Sequence, residues 1–587
     1  MKPKLKMRLG DLLVSEQIIG EDQLMAALGE QKKTGRKLGH TLIDLGYITE
    51  DQLLKFLSQQ LNIPFIDISR RPVPPPVVNL LPEVQARRYR ALVIEDKGDA
   101  VVVAMSDPAD LQALDNLEVM LAPKRLELAV APEAQLMQAF DNLYRRTEQI
   151  AQMAGQLEEE YAADEAFDLA ALTAGDSDSE TTVVKLLQSI FEDAVQMRAS
   201  DIHIEPGDKS LRIRQRVDGH LQETILNEVT IAAALVLRLK LMAGLDISEK
   251  RLPQDGRFHM EIKGHKIDVR ISTMPIYHGE SVVMRLLDQS AGLLTLNETG
   301  MPQNILERVR KQIKRPHGML LVTGPTGSGK TTTLYGILSE LNTADRKIIT
   351  VEDPVEYQLP RINQVQVNHK IGLDFSNVLR TTLRQDPDII MVGEMRDHET
   401  VEIGLRGALT GHFVLSTLHT NDAVTSALRL LDMGAASYLV ASALRVIIAQ
   451  RLVRRVCQNC AVDYQLTPQD KAWLSTVGKD VDFASARFRI GTGCQSCNGT
   501  GYRGRIGIFE LLELDEAMVD AMRTGNPQDF ARAAHASPNF TPLTVSALSY
   551  LQQGMTTIEE VAKLVEDMSD SPLPLSEELA QFDGAGV

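Results

Sequence analysis

Met319-Leu-Leu-Val-Thr323 runs directly into Gly324-Pro-Thr-Gly-Ser-Gly-Lys330-Thr331-Thr332, and that loop into Thr333-Leu-Tyr-Gly-Ile-Leu-Ser-Glu-Leu341. The apolar run predicts a buried strand, the glycines end it, and the helix-forming residues that follow are spaced as one helix. A strand, a glycine loop and a helix in that order make a P-loop. Successive backbone N–H groups turn inward onto phosphate oxygens, and the helix N-terminus adds partial positive charge. The residues assigned to ATP and Mg²⁺ are Gly324, Pro325, Thr326, Gly327, Ser328, Gly329, Lys330, Thr331 and Thr332. Lys330 reaches the β- and γ-phosphates and Thr331 ligates the metal.

Downstream, Lys347-Ile-Ile-Thr-Val351, Asp388-Ile-Ile-Met-Val392 and His412-Phe-Val-Leu-Ser416 predict parallel strands of a doubly wound sheet. Each ends in polar residues, at the strand end where ligands sit in such sheets. Glu352, Asp353 and Glu356 follow the first, Gly393-Glu394 the second, and Thr417-Leu-His419 the third. A carboxylate there orients water for in-line attack or holds a Mg²⁺-bound water, and a histidine senses the γ-phosphate. His412 is either part of that apparatus or structural.

A chain of 587 residues exceeds what one core supports. Lys plus Arg number 62 against 79 Asp plus Glu, a net charge of −17, and aromatic residues are 4%. That balance argues against a nucleic-acid translocase, which needs a basic pore or a stacking platform. The carboxylates argue against a nucleotide receptor that does not hydrolyse. No apolar segment follows Met1-Lys-Pro-Lys-Leu-Lys6 and no run of 18 apolar residues occurs. The expectation is therefore a cytoplasmic protein whose membrane contact is made through partners.

Cys457-x-x-Cys460 and Cys494-x-x-Cys497 are separated by 33 residues. Two thiolate pairs on tight knuckles predict a closed tetrahedral Zn²⁺ site that holds a subdomain at about 455–505 and leaves no position for chemistry. Arg451, Arg454 and Arg455 beside it suit a partner surface or a solvated cluster, and the solvated cluster is the reading preferred. Residues after Ile506 read as helical, ending in a disordered tail at 570–587.

Residues 8–64 repeat with an offset of 29. Arg8-Leu9-Gly10 aligns with Lys37-Leu38-Gly39, Leu13 with Leu42, Ile19 with Ile48, Leu24 with Leu53, Leu28 with Leu57 and Gln31 with Gln60. Each unit predicts two short helices. The pattern suits a helical docking module; the cation, glycine and glutamine of each unit equally suit a groove for an anionic ligand. Pro72 to Pro76 mark a boundary, after which strands flanking Lys97-Gly98-Asp99 and two helices predict a small α+β subdomain. Asp107, after the second strand, is a ligand contact or a helix cap. Gln156 to Glu180 hold nine acidic residues and no basic one, which predicts a linker over 149–180. A further α+β unit over 181–295 carries Ala199-Ser-Asp-Ile-His-Ile-Glu-Pro206 and Leu252-Pro-Gln-Asp-Gly-Arg257.

Those last two strings, with the P-loop and the four cysteines, resemble the type IV pilus and type II secretion ATPases. The paired R/K-L-G-x-x-L…L-x-x-x-L-x-x-Q units resemble the cyclic di-GMP-binding front domain of the extension ATPase of mannose-sensitive haemagglutinin (MSHA) pili. The resemblance implies a multidomain α/β protein. Residues 1–148 bind cyclic di-GMP (1–65 helical repeat, 66–148 small α+β); 181–295 are a PAS-like domain; 296–569 are a RecA-like ATPase domain. It implies that Arg8, Leu9, Gly10, Gln31, Lys37, Leu38, Gly39 and Gln60, with Asp107, contact the dinucleotide through cations suited to phosphates. Gln17 departs from the pattern, which has glycine there as its counterpart Gly46 does. The resemblance also implies Glu356 as catalytic glutamate, Glu394 as the Walker B glutamate, His419 with His412 as a histidine box, and Arg270 and Arg285 as arginines completing the nucleotide site. It implies a hexamer that works with an inner-membrane platform protein and a cytoplasmic-face scaffold. Pilus extension is the leading reading, and type II secretion the alternative.

Overall fold

The computed structural model describes the chain apart from residues 1–8, 35–37, 69–72, 74, 79, 109, 144–146, 164–181, 291, 293, 479–482, 484–485 and 570–587. Four helices open it: α1 (Leu9–Ser15), α2 (Glu21–Thr34), α3 (Leu38–Asp44) and α4 (Glu50–Leu61). They form two helical pairs because the repeated apolar positions face one core, where Leu13, Leu42, Ile19, Ile48, Leu53 and Leu57 are buried. The repeats touch through a glycine: a Cβ on Gly10 would stand 2.6 Å from Leu24 and 3.2 Å from Leu38. Gln17 and Gly46 occupy the same turn, both left-handed, with φ of 58° and 71°. Glutamine therefore stands where glycine costs least.

A three-stranded sheet follows, in the order β1 (Ala91–Asp96), β2 (Ala100–Met105), β3 (Arg125–Val130). Helices α5 (Pro75–Val78), α6 (Glu83–Tyr89), α7 (Leu111–Leu121) and α8 (Glu133–Leu143) accompany it. The helical repeat is tied to this sheet. Val130 donates its N–H to Pro64 O and accepts from Ile66 N, both at 2.8 Å, and Glu133 donates its N–H to Glu50 Oε1 at 2.8 Å. The N-cap of α7 is Asp110, three residues beyond Asp107, and it accepts the N–H of Ala113 at 3.1 Å.

The acidic stretch expected to be linker begins instead as helix α9 (Thr147–Ala163). Ile150, Ala154 and Leu157 share one face at helical spacing and are buried in the core of the following domain. Glu158 and Glu160 accept hydrogen bonds from Thr230 (3.1 Å) and Thr182 (2.6 Å). Acidic content concealed that apolar stripe; the rest of the expected linker, 164–180, lies outside the described residues.

The middle domain is an antiparallel sheet of six strands, β4 (Asp201–Pro206), β5 (Leu211–Val217), β6 (His220–Leu226), β7 (Gln254–Ile262), β8 (His265–Ile276) and β9 (Gly279–Asp288), in the order β6-β5-β4-β9-β8-β7. Two of its tight turns, Asp218-Gly219 and Lys263-Gly264, have positive φ at both positions, the geometry whose twist matches flanking strands.

The P-loop domain is built on β10 (Gly318–Thr323), β11 (Ile348–Glu352), β12 (Ile362–Gln366), β13 (Ile389–Val392), β14 (Phe413–Leu418) and β15 (Leu444–Val456). β16 (Ala461–Asp463) and β17 (Arg489–Gly491) form a ribbon beside the cysteines, and β18 (Tyr502–Glu513) returns to the main sheet. The sheet order is β12-β11-β13-β14-β10-β15-β18; every pair is parallel except β15 with β18. β18 corrects the helical reading of the residues after Ile506, since a short continuous apolar run suits a buried strand as well as a buried helix. Helices occupy Glu516–Thr524, Pro527–Ala536, Leu543–Gln552 and Ile558–Ser569. Within β18, fully buried Glu510 accepts the first N–H groups of two helices, from Ala423 and Leu543, both at 2.7 Å, and burial pushes its carboxyl up to about 7. The arginines beside the cysteines are not a solvated cluster. Arg451 is buried and donates to Asn421 at 2.9 Å; Arg454 lies 3.8 Å over the Tyr502 ring and pairs with Glu560 at 2.7 Å. Arg455 alone is exposed.

Gln17→Gly is expected to stabilise the front domain by roughly 0.5–1 kcal/mol, by relieving a left-handed non-glycine residue. Its unfolding transition should move to higher temperature in calorimetry; an unchanged or lower midpoint would show that this turn carries no strain.

Candidate active site

β10 lies inside the sheet between β14 and β15, so the loop leaving it at Thr323 is surrounded by strand ends. Gly324, Gly327 and Gly329 have φ of 148°, 81° and 88°. A Cβ on Gly324 would stand 2.4 Å from the Gln450 carbonyl oxygen, and one on Gly329 2.7 Å from the Gln450 side-chain nitrogen. The glycines are required by close approach as well as by conformation. Lys330 Nζ donates to Gly324 O at 2.7 Å and Pro325 O at 3.1 Å, and burial lowers its ammonium to about 8. Gln450, from β15, also accepts the Thr333 hydroxyl at 2.6 Å. Sequence reasoning missed Gln450, since no motif marks it.

Glu394, two residues past β13, sits 3.2 Å from His419 Nε2 and pairs with Arg396 on its other oxygen. Glu394, expected as a Walker B glutamate, and His419 are thus brought together. His412 is not: it stands just before β14, roughly 20 Å along the strand from His419. Its Nδ1 lies 3.0 Å from Gly407 O, a structural contact.

The three acids at and beyond the end of β11 separate. Glu352 is buried in a network: it accepts from the Tyr335 hydroxyl, from Thr350 at 2.5 Å and from Gln364 at 3.1 Å. Asp353 lies 3.5 Å from His369. Glu356 receives Arg270 of β8 at 2.6 Å, and that guanidinium also donates to Val355 O at 3.3 Å. The Glu356 backbone N–H donates to Tyr335 Oη at 3.3 Å. Tyr335 belongs to the helix Lys330–Leu341, so one buried hydroxyl joins the helix behind the phosphates to the loop that carries Glu356. The sequence signal for this link is a tyrosine on an otherwise apolar helix face together with an acid ending a buried strand.

Arg285 pairs with Asp201 at 3.2 Å and does not touch Glu356. It lines, with Arg257, Arg270, Asp201, Pro354 and Gln366, a cavity of about 400 Å³ between the middle domain and the P-loop domain. Arg257, held by the buried Asp268 at 2.6 Å, is a cation of this cavity that sequence reasoning left unassigned.

The four cysteines are buried, with all four sulfurs within 4.8 Å of one another. Neighbouring sulfurs stand 3.7–3.8 Å apart, close to the roughly 3.8 Å edge of a tetrahedron of Zn–S bonds. No disulfide joins them. The donor set fits zinc.

In the front domain Gly10 and Gly39 are buried, Leu38 and Gln31 half-buried, Gln60 exposed and Asp107 half-buried after β2. Arg8 and Lys37 lie outside the described residues, as does the Leu9 side chain.

The family described as "Type II/IV secretion system protein" matches residues 176–563. The chain belongs to this family, and it is an ATPase. An MshEN domain matches residues 61–150, which includes Asp107 and follows the helical repeat. Among relatives of this secretion family, the "Type IV pilus assembly ATPase PilB" of Myxococcus xanthus is 41% identical over 570 residues, 94% of this chain and 98% of that one. "Type II secretion system protein E" of Xanthomonas campestris pv. campestris is 40% identical over 573 residues, 95% of this chain and 98% of that one. A solved structure described as "Structure of MshE with cdg" is 55% identical, covers 24% of this chain and 100% of that one, and has a TM-score of 0.23.

Tyr335→Phe keeps the buried ring and removes the hydroxyl that joins Glu352 to the Glu356 loop. Steady-state hydrolysis should show kcat lowered roughly ten- to a hundredfold with KM for ATP near that of the unsubstituted chain; equal kcat would show that the loop is held without it. A bound phosphate stabilises charged Lys330, so nucleotide binding above its value of about 8 takes up a proton. Calorimetry in buffers of different ionisation enthalpy should show uptake at about pH 9 and little at about pH 7. Equal uptake at both would contradict the lowered lysine.

Proposed function

We propose that the chain is the hexameric motor that extends a type IV pilus of the MSHA type, acting on an inner-membrane platform protein and a cytoplasmic-face scaffold under control of cyclic di-GMP. The observation that carries the reading is Arg270 of the middle domain held on Glu356 of the P-loop domain at 2.6 Å. It supports a reading in which the arginine serves the γ-phosphoryl group and the carboxylate the attacking water. Lys330 and the loop N–H groups hold the phosphates, Thr331 with Glu394 would hold Mg²⁺, and His419 reports through Glu394 on the phosphate end. Mg²⁺ supplies charge neutralisation across the phosphates. When ATP enters, Arg270 transfers from Glu356 to the γ-phosphate and the freed carboxylate orients water for in-line attack. Because that arginine and carboxylate belong to different domains, hydrolysis becomes relative movement of the two.

Cys457, Cys460, Cys494 and Cys497 would hold Zn²⁺. Cyclic di-GMP would lie across the two repeat units, its phosphates on Arg8 and Lys37 and its bases against Leu9 and Leu38, with Gly10, Gly39, Gln31, Gln60 and Asp107 around it. The MshEN match to residues 61–150 supports the assignment of the front domain and includes Asp107, while the repeat residues precede the matched stretch. Among the described residues no helix is long and apolar enough to cross a membrane; the proposed place is the cytoplasmic face of the inner membrane, reached through partners. A second reading, the ATPase of a type II secretion system, is favoured by the equally extensive match to the Xanthomonas relative.

Titration of cyclic di-GMP into the full chain by calorimetry should give saturable binding that is lost in Arg8→Ala and Lys37→Ala. Absence of binding to the folded chain would turn the repeats into a docking module and leave the secretion reading in front. For the chemistry, Glu356→Gln should lower kcat by a factor on the order of 10²–10⁴ while nucleotide still binds. An unchanged rate would remove Glu356 from the reaction.

A further inference from the structure

Two neighbouring helices at the end of the front domain meet the rest of the chain in different places. Helix α9 is buried in the core of the middle domain through Ile150, Ala154 and Leu157. Helix α8, which precedes it by three residues, packs instead against the 3-10 turn Gln495–Cys497 of the P-loop domain. That turn lies within the second cysteine knuckle, immediately after Cys494 and ending on Cys497.

The knuckle is shaped to be rigid. A Cβ on Gly491 would stand 1.9 Å from the Gly501 carbonyl oxygen, and one on Gly493 2.7 Å from that of Gly499. Backbone lies on backbone with no side chain between. Asn459 of the first knuckle donates to Ser496 Oγ of the second at 2.7 Å, and Thr492 donates its N–H to Cys460 O at 3.1 Å. The β16–β17 ladder and the Cys457 N–H, which donates to Gly501 O at 2.9 Å, tie the two knuckles further. The four sulfurs would add a metal-dependent tie to these, since no disulfide joins them.

We propose that the Cys494–Cys497 knuckle is the seat on which the front domain rests through α8, so that the metal site is a joint between the front domain and the P-loop domain as well as a local staple. The occupant of this surface is the chain's own helix Glu133–Leu143. The proposal stands whether or not the front domain binds a dinucleotide.

Arg145 and Arg146 lie in sequence between α8 and α9, which provides a tryptic readout of seating in the full chain. Two perturbations are compared with the untreated protein: removal of the metal by a chelator, and Ser496→Trp, which crowds the turn without altering a sulfur. Metal content per chain is measured for each. The expected result is cleavage at Arg145 and Arg146 roughly tenfold faster in both cases, because limited proteolysis follows the open population. Ser496→Trp should retain its zinc, and restoring zinc to the chelated protein should restore resistance. Acceleration by the chelator alone, with Ser496→Trp cleaved at the original rate and still loaded, would show that metal loss acts elsewhere and would overturn the proposal. So would unchanged cleavage in both.

Discussion

Gln450 lies so close beneath the P-loop that neither Gly324 nor Gly329 has room for a side chain. The position of the phosphate loop is consequently set by β15, a strand far later in the sequence, and by everything that fixes β15 in turn. Gln450 accepts the Thr333 hydroxyl from the first turn of the helix that follows the loop. Its neighbour Arg451 donates to Asn421, two residues beyond His419. Glu510 on the adjoining β18 accepts the first N–H groups of the helices starting at Ala423 and Leu543. Loop, strand and helix starts therefore form one polar framework, and its buried donors and acceptors are costly to leave unpaired.

A second framework faces the middle domain. Tyr335 joins the helix behind the phosphates to buried Glu352 and to the backbone of Glu356, while Arg270 reaches the Glu356 carboxylate from β8. One face of this assembly is rigid and buried, the other is an ion pair between domains. Fixed geometry on the phosphate side with an exchangeable partner on the other side suits a device in which a ligand's charge is read as a change in domain contact.

Much of this was legible in the amino-acid order. The P-loop, the strands after it, the two four-residue cysteine motifs and the tandem repeat each rest on local signals: glycine placement, apolar runs, fixed spacing. What escaped was decided by tertiary context. The apolar stripe Ile150, Ala154, Leu157 was outweighed by surrounding acids until a core appeared for it to enter. The buried half of β18, Gly507 to Leu512, is apolar but for Glu510, and its pairing with β15 identifies it as a strand. Arg451 and Arg454 looked like solvated cations because their partners, Asn421, Tyr502 and Glu560, are remote in sequence. For the same reason composition could not distinguish Glu352, which is enclosed, from Glu356, which faces another domain. Both follow one strand, and their roles differ by which neighbours the fold delivers.

β15 spans Leu444–Val456 and is paired along its length with β18. Gln450, in its middle, touches the phosphate loop, and Cys457 begins the first knuckle one residue past its end. Seven residues of extended chain, roughly 23 Å, separate the two. Over this span β15 is hydrogen-bonded along one edge to β18, and a paired, extended strand resists stretching. The phosphate loop and the sulfur cluster are therefore joined by one continuous strand, so that neither can shift along it without straining the sheet between them.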